Sequence, residues 1–227
     1  MISSAASELL ARLPLFDAVS DDELRRLAAA TSEVRAVRGQ LLFSKGDPCV
    51  GFHVVISGQI KLSFTAPNGA EKVVEIISPG QSFGEALMFA NKPYVVDAQA
   101  LRDSRLLHIS KRVGLELIRE DTDFACRMIA GLSRWLHGVM TDLESYSLRS
   151  GVQRVIGYLL QAEPASGAKD SFPVVLPTSK HIIASRLNLT PEYLSRVLHD
   201  LTAAGLISVD GRTVTILDVE RLRAHGV

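Results

Sequence analysis

Hydrophobic and polar positions change rhythm several times along the chain. Residues 1–30 read as helical, and Ser20-Asp-Asp-Glu23 forms a capping box ahead of Leu24, Leu27 and Ala28, which predicts a helix from Asp21 to about Thr31. From Glu33 to about Ile109, short apolar runs alternate with glycine turns. Phe52–Ile56, Ile60–Phe64 and Lys72–Ile77 carry β-branched residues with partial period-two alternation, and Asn68-Gly69 is a hairpin signal between the last two. Many short strands at such spacing predict a small antiparallel barrel or roll.

From about Thr122 to Leu148 the period lengthens to that of a helix. Ile129, Leu132, Leu136, Val139, Leu143 and Tyr146 recur at alternating steps of three and four, an a/d seam. Met128 and Trp135 lie on a second apolar face. A helix with two such faces can bury one in its own domain and the other against a second copy, so the seam is the expected homodimer interface. Ser150-Gly151 reads as a hinge. Beyond it come a helix (Val152 to Gln161), a Pro/Ser/Gly-rich connector (Pro164 to Pro173), a helical pair (Thr178 to Ala204), a hairpin turning at Asp210-Gly211 and a short final helix. The expected architecture is α+β: a β-roll domain with its dimerisation helix (about 122–148) over 1–148, then a winged helix-turn-helix over 149–227.

Thr178 can cap the first helix of the pair, with Ile182, Ile183 and Leu187 apolar and Ala184 small enough for close packing. Asn188 stands at the turn, where a left-handed residue is needed and Asn is tolerated. Thr190-Pro191 then restarts the chain as N-cap and first helical residue. Leu194, Val197, Leu198 and Leu201 face inward, leaving Glu192, Tyr193, Ser195, Arg196 and His199 outward. This is helix-turn-helix spacing, whose second helix lies in the major groove of double-stranded DNA. Arg196 can donate twice to guanine, Glu192 can accept from cytosine N4, and Ser195 can reach a base or a phosphate. The hairpin Leu206–Leu217 reads as a wing whose Arg212 can approach phosphates. Ser179, Lys180, Thr190, Pro191 and His199 complete the candidate DNA-facing set.

Composition changes this picture little. The chain is 47% hydrophobic and 22% charged, which suits a packed core. No run reaches the roughly 18 apolar residues of a membrane span, and Met1 to Leu15 lacks the pattern of a secretory signal, so a cytoplasmic protein without a membrane partner is expected. Net charge is zero, and residues 151–227 hold eight basic against seven acidic side chains, so specific binding should need two half-sites held by a dimer. The two cysteines, Cys49 and Cys126, form no CxxC pair, so no cysteine-rich zinc or iron–sulfur site is expected within one chain. No nucleophile constellation, phosphate loop or metal-ligand spacing points to an enzyme.

The Gly-punctuated roll, Ser82-Phe-Gly-Glu-Ala-Leu-Met88, the long helix and Leu189-Thr-Pro-Glu-Tyr-Leu-Ser-Arg-Val-Leu198 together resemble the CRP/FNR superfamily of bacterial regulators over nearly the whole chain. Phe83 to Ala100 and Ser133 to Leu148 look most like the nitric-oxide-responsive denitrification regulators, the DNR/NNR-like branch. The resemblance implies that Glu192, Ser195 and Arg196 read a TTGAT-type half-site, hence a palindromic TTGAT–N4–ATCAA operator. It implies a transcription activator, with RNA polymerase as a partner. It also implies an effector pocket at Gly84 and Glu85, which in cyclic-nucleotide-binding members hold the ribose. There an Arg-Ser or Arg-Thr pair holds the cyclic phosphate, but this chain has Val95-Val96, which argues against cyclic AMP. Gly84 and Glu85 then serve a tight turn and a helix start.

Haem or another small effector remains, the metal being undetermined. Among the histidines, His53 lies in a strand-like run and His137 beside the seam; either can ligate iron or be an ordinary packed residue, and no ligand is singled out. The leading expectation is a nitric-oxide- or redox-linked activator. The alternatives are a cyclic-nucleotide-responsive regulator and a cyclic-nucleotide-binding module of another protein, which would have no use for the winged helix.

Overall fold

The computed structural model describes residues 10, 24, 28, 29, 31–162 and 171–225. The capping box at 20–23 lies outside them, as do residues 164–170 of the expected connector. Leu24 and Ala28 are helical and buried, and Thr31 already begins a strand. The chain's contacts group it into two units, Met1–His137 and Gly138–Val227, so the boundary falls inside the long helix rather than at its end.

The first unit contains two four-stranded antiparallel sheets. One has the order β1 (Thr31–Ala36), β8 (Ser104–Ser110), β3 (Gly51–Ser57), β6 (Ser82–Phe83); the other β2 (Leu41–Phe43), β7 (Asp97–Ala100), β4 (Ile60–Thr65), β5 (Glu71–Ile77). Val55, Ile60, Ile77, Phe83, Ala98 and Leu106, drawn from both sheets, share one core between them. The expected antiparallel roll is therefore present. Asn68-Gly69 turns β4 into β5, with Gly69 at φ 81° and its N–H on the Ala66 carbonyl at 2.8 Å.

Strand β3 explains why its alternation was only partial. Phe52 and Val54 point into a second core with Met88, Leu107, Ile109 and Phe124, while Val55 points into the roll. Both faces are covered, so consecutive residues are buried and the polar half of the pattern disappears. That second core is closed by α1 (Glu85–Ala90), α2 (Lys111–Glu120) and the start of α3 (Thr122–Leu148), whose Phe124 and Met128 are buried. Helix α2 fills a stretch that the sequence pattern left unassigned.

The long helix has the bounds expected from its period. Beyond its first turns the seam is open: Ile129, Leu136 and Leu143 are each more than half exposed, Val139 is exposed and Leu132 partly so. Trp135, on the second face, donates its indole N–H to Glu75 Oε2 at 3.2 Å.

In the second unit, α4 (Gly151–Leu160) starts from a capping box in which Ser150 and Gln153 satisfy each other's backbone N–H groups. Helices α5 (Lys180–Arg186) and α6 (Pro191–Ala203) follow, then the wing β10 (Ile207–Asp210) and β11 (Thr213–Ile216), and α7 (Val219–His225). The connector needs one correction: its last residues form strand β9 (Phe172–Val175), which pairs with β11 and makes the wing three-stranded. Pro173 hid this strand in the sequence, yet β9 is an edge strand and Pro173 is exposed, where a missing N–H costs nothing.

Candidate nucleic-acid interface and effector turn

Local signals build the helix-turn-helix. Helix α5 begins after Ser179 rather than Thr178, which is buried instead of capping. Ile182, Ile183, Ala184 and Leu187 pack inward. Asn188 takes the left-handed conformation at φ 57°, and the N–H groups of Leu189 and Asn188 reach back to the carbonyls of Ala184 (2.9 Å) and Ser185 (3.1 Å). That is a Schellman ending with Asn in glycine's usual place. Thr190 then caps α6, its hydroxyl accepting from the Tyr193 N–H at 3.2 Å, and Pro191 occupies the first turn.

The outcome is one buried and one exposed face on α6. Leu194, Val197, Leu198 and Leu201 are buried, while Glu192, Ser195, Arg196 and His199 are exposed. Lys180, Ser195, His199, Thr202 and Val209 line an open groove of about 270 Å³ together with Leu198, so the first helix, the second helix and the wing meet along one surface. Ser179 is exposed just before α5 and Arg212 is exposed at the wing turn beside Gly211. Tyr193 is exposed with the rest of the outward set, and its ring also lies against the start of α4, where a Cβ on Gly151 would come within 2.4 Å of it.

In the first unit Gly84 adopts φ 100° as the residue before α1, a conformation that L side chains avoid. The Glu85 carboxyl is pushed above its ordinary range, by burial first, with the nearby Glu75 adding to the effect and a hydrogen bond to Ser82 opposing it. Around the turn stand residues that sequence reasoning did not connect with it. Cys49 Sγ lies 3.6 Å from the Gly84 carbonyl, and the Tyr94 hydroxyl donates to the Gly51 carbonyl at 3.2 Å. Tyr94 is stacked on Phe43 with ring centroids 3.5 Å apart, and burial raises its phenol pKa further. Val95 is exposed and Val96 partly buried, and neither supplies a charge or a side-chain donor.

The roll also encloses two imidazoles. His53 and His108 are cross-strand partners with ring centroids 4.9 Å apart, and His53 Nδ1 and His108 Nε2 are buried without a hydrogen-bond partner. Burial, and secondarily His108, holds the His53 pKa down to about 3; burial also lowers that of His108. Such nitrogens are donors of the kind haem iron takes. The space is not there: His53 stacks on Phe83 at 5.1 Å and leans on Phe43 at 6.0 Å, so a macrocycle would have to displace both. Haem does not fit this pair as packed. His137 is exposed on the long helix, and among the described residues no group of three or more His, Cys, Asp or Glu is placed to hold a metal ion.

Comparison with known proteins fits this layout. Residues 33–121 match the Cyclic nucleotide-binding domain family and residues 153–225 the Crp-like helix-turn-helix domain family. The crystal structure of DNR from Pseudomonas aeruginosa is 34% identical, covering 96% of each chain, with a TM-score of 0.50. The chain belongs to the CRP/FNR family. It is thus a DNA-binding transcription regulator, with its reading module in the second unit. A CRP-like cAMP-activated global transcriptional regulator of Mycobacterium tuberculosis is 26% identical over 217 residues, 95% of this chain and 97% of that one. FixK2 from Bradyrhizobium japonicum, only 19% identical, shares the fold at a TM-score of 0.75 over 87% of this regulator and 98% of its own chain. No helix among the described residues is long and apolar enough to cross a membrane.

Proposed function

We propose that this CRP/FNR-family regulator binds a TTGAT–N4–ATCAA operator as a homodimer and activates transcription with RNA polymerase in response to a small effector. The exposed ridge of Glu192, Ser195 and Arg196 beside the groove shared with Lys180 and Val209 carries the reading. In this assignment Arg196 pairs with guanine, Glu192 with cytosine and Ser195 with a base or phosphate. Ser179, Lys180, Thr190, His199 and Arg212 sit toward the phosphates, and Pro191 sets the first turn of the reading helix. Ile129, Leu132, Leu136, Val139, Leu143 and Tyr146 form the dimer seam; the exposure of most of these apolar side chains in a single chain supports it.

For the effector, the likeness to the denitrification branch supports nitric oxide or a redox signal received through haem. The valines at 95 and 96 weigh against a cyclic nucleotide in spite of the cAMP-activated relative. The enclosed His53–His108 pair is not a seat for haem, so no step is routed through it. Mobility shift on the TTGAT–N4–ATCAA duplex against a scrambled duplex tests the operator. Retardation of the first at protein concentrations at least about a hundredfold lower is expected, and equal retardation of both overturns the assignment. A Soret band after haem addition, and a nitric-oxide-dependent change in the same shift, tests the effector.

A further inference from the structure

We propose that Tyr146 and Arg154 are positioning residues for DNA reading: they clamp the last carbonyls of α5, and Tyr193, seated on Gly151, ties α6 to the same platform. The inference rests on the winged helix being the reading module, and it concerns side chains that do not lie on the DNA-facing ridge.

The last carbonyls of a helix have no partner within it. The Schellman ending satisfies those of Ala184 and Ser185 and leaves the next ones in the turn itself. All of these are taken from outside. The Tyr146 hydroxyl donates to the Arg186 carbonyl at 2.6 Å, and Arg154 Nη1 donates to the carbonyls of Leu187 at 2.8 Å and Asn188 at 3.1 Å. A guanidinium at a helix C-terminus also meets the negative end of the helix dipole.

The clamp is itself braced. Arg186 Nη1 donates to the Tyr146 oxygen at 2.9 Å and pairs with Asp142 Oδ2 at 2.6 Å, which fixes the phenol from the other side. The Arg154 guanidinium carbon lies 6.0 Å from the centre of the Tyr146 ring, and Arg154 Nε is buried with no partner of its own. A cation held in this way, with one donor left unsatisfied, is placed for its contacts to the turn. The second tie is steric. Only a residue without a Cβ admits the Tyr193 ring at Gly151, where a methyl would meet Cε1 at 2.4 Å and the hydroxyl at 3.0 Å. The turn between α5 and α6 and the first turn of α6 are therefore both indexed to Tyr146, Gly151 and Arg154. Rotating that platform would rotate Glu192, Ser195 and Arg196.

The test uses the full-length protein, with hydrogen exchange followed over residues 186–194 and affinity measured on the TTGAT–N4–ATCAA and scrambled duplexes. Arg154→Met keeps the stem and removes the donors. It should raise exchange over 186–194 selectively and reduce the specific-to-scrambled affinity ratio by about tenfold or more, as expected for losing a charged hydrogen-bond donor. Arg154→Lys should recover part of that ratio, and Tyr146→Phe should act in the same direction as Arg154→Met but less strongly. Gly151→Ala and Tyr193→Ala should each reduce the ratio, and the two combined should lose no more than the larger single loss, as expected of changes that break one shared contact. Unchanged exchange and ratio in Arg154→Met, or a further loss in the double variant, overturns the proposal. So does a uniform rise in exchange over the whole second unit. If the parent protein itself fails to discriminate the duplexes, the operator assignment falls, while the exchange arm still decides the clamp.

Discussion

At the residue scale, Arg196 and His53 make opposite kinds of statement. Arg196 is exposed on the ridge proposed to read DNA, so its substitution should touch recognition rather than folding. Arg196→Ala should cost about 1–3 kcal/mol per half-site and flatten discrimination at the guanine position. Equal losses on operator and scrambled DNA in a binding titration would remove it from base reading. Arg212→Ala should instead weaken all sequences alike and lower the salt slope by about one, as a phosphate contact does. His53 is buried, and its pKa is depressed from 6.5 to about 3. A depressed folded-state value means that the unfolded chain binds the proton first. The stabilisation is complete above pH 6.5 and is lost as pH falls toward 3, by at most about 1.4 kcal/mol per pH unit. His108, also lowered, acts in the same direction. Urea midpoints measured from pH 7.5 to 5 should fall, and His53→Leu should flatten the fall; an unaltered slope would put the acid sensitivity elsewhere.

Among the elements, the long helix carries the clearest consequence. Its first turns are fixed by Phe124 and Met128 in the core, while Leu136 stands more than half exposed at the centre of the seam. Leu136→Asp would place a carboxylate without a partner in the proposed apolar interface, a costly burial. Sedimentation at about micromolar concentration should then show monomers, whereas a fully dimeric variant would place the interface on another element. The wing is a second case. Its third strand, β9, pairs through Val174 with Val214, so the hairpin tip with Arg212 is held by a sheet rather than by its turn alone.

On the scale of the whole molecule, the question is what the roll can receive. Near Gly84 it offers Glu85, Glu75 and apolar or aromatic walls, with valines where the resemblance places an arginine. A cyclic phosphate there would lose water without gaining a cation, and the charge-assisted pair it forgoes is among the stronger polar contacts. Calorimetry should therefore detect no saturable cyclic AMP binding up to about 100 μM, a limit equivalent to about −5.5 kcal/mol. Val95→Arg should create measurable affinity. Binding of the parent protein with a Kd of a few micromolar would show that another cation reaches the pocket, and would make the cyclic nucleotide the leading effector.

What the sequence by itself determined is the set of features decided within a few residues. The a/d period marked α3, Asn68-Gly69 marked the β4–β5 turn, and Asn188 with Thr190-Pro191 marked the helix-turn-helix, because capping, left-handed turns and helical periodicity are local physics. Tertiary structure decided the rest. The period marks Tyr146 as a seam position, but only the fold shows that it and Arg154 also donate to the carbonyls at the end of α5. Tyr193 reads as outward, and only the fold shows that its ring also rests on Gly151; His53 reads equally as an iron ligand or a packed residue until β8 places His108 opposite and Phe83 stacks on it. Strand β9 is a strand because β11 supplies its hydrogen bonds, not because Phe-Pro-Val-Val prefers to be extended. In each case the partner is distant along the chain, and no period or propensity carries information about a contact whose other half lies in another element.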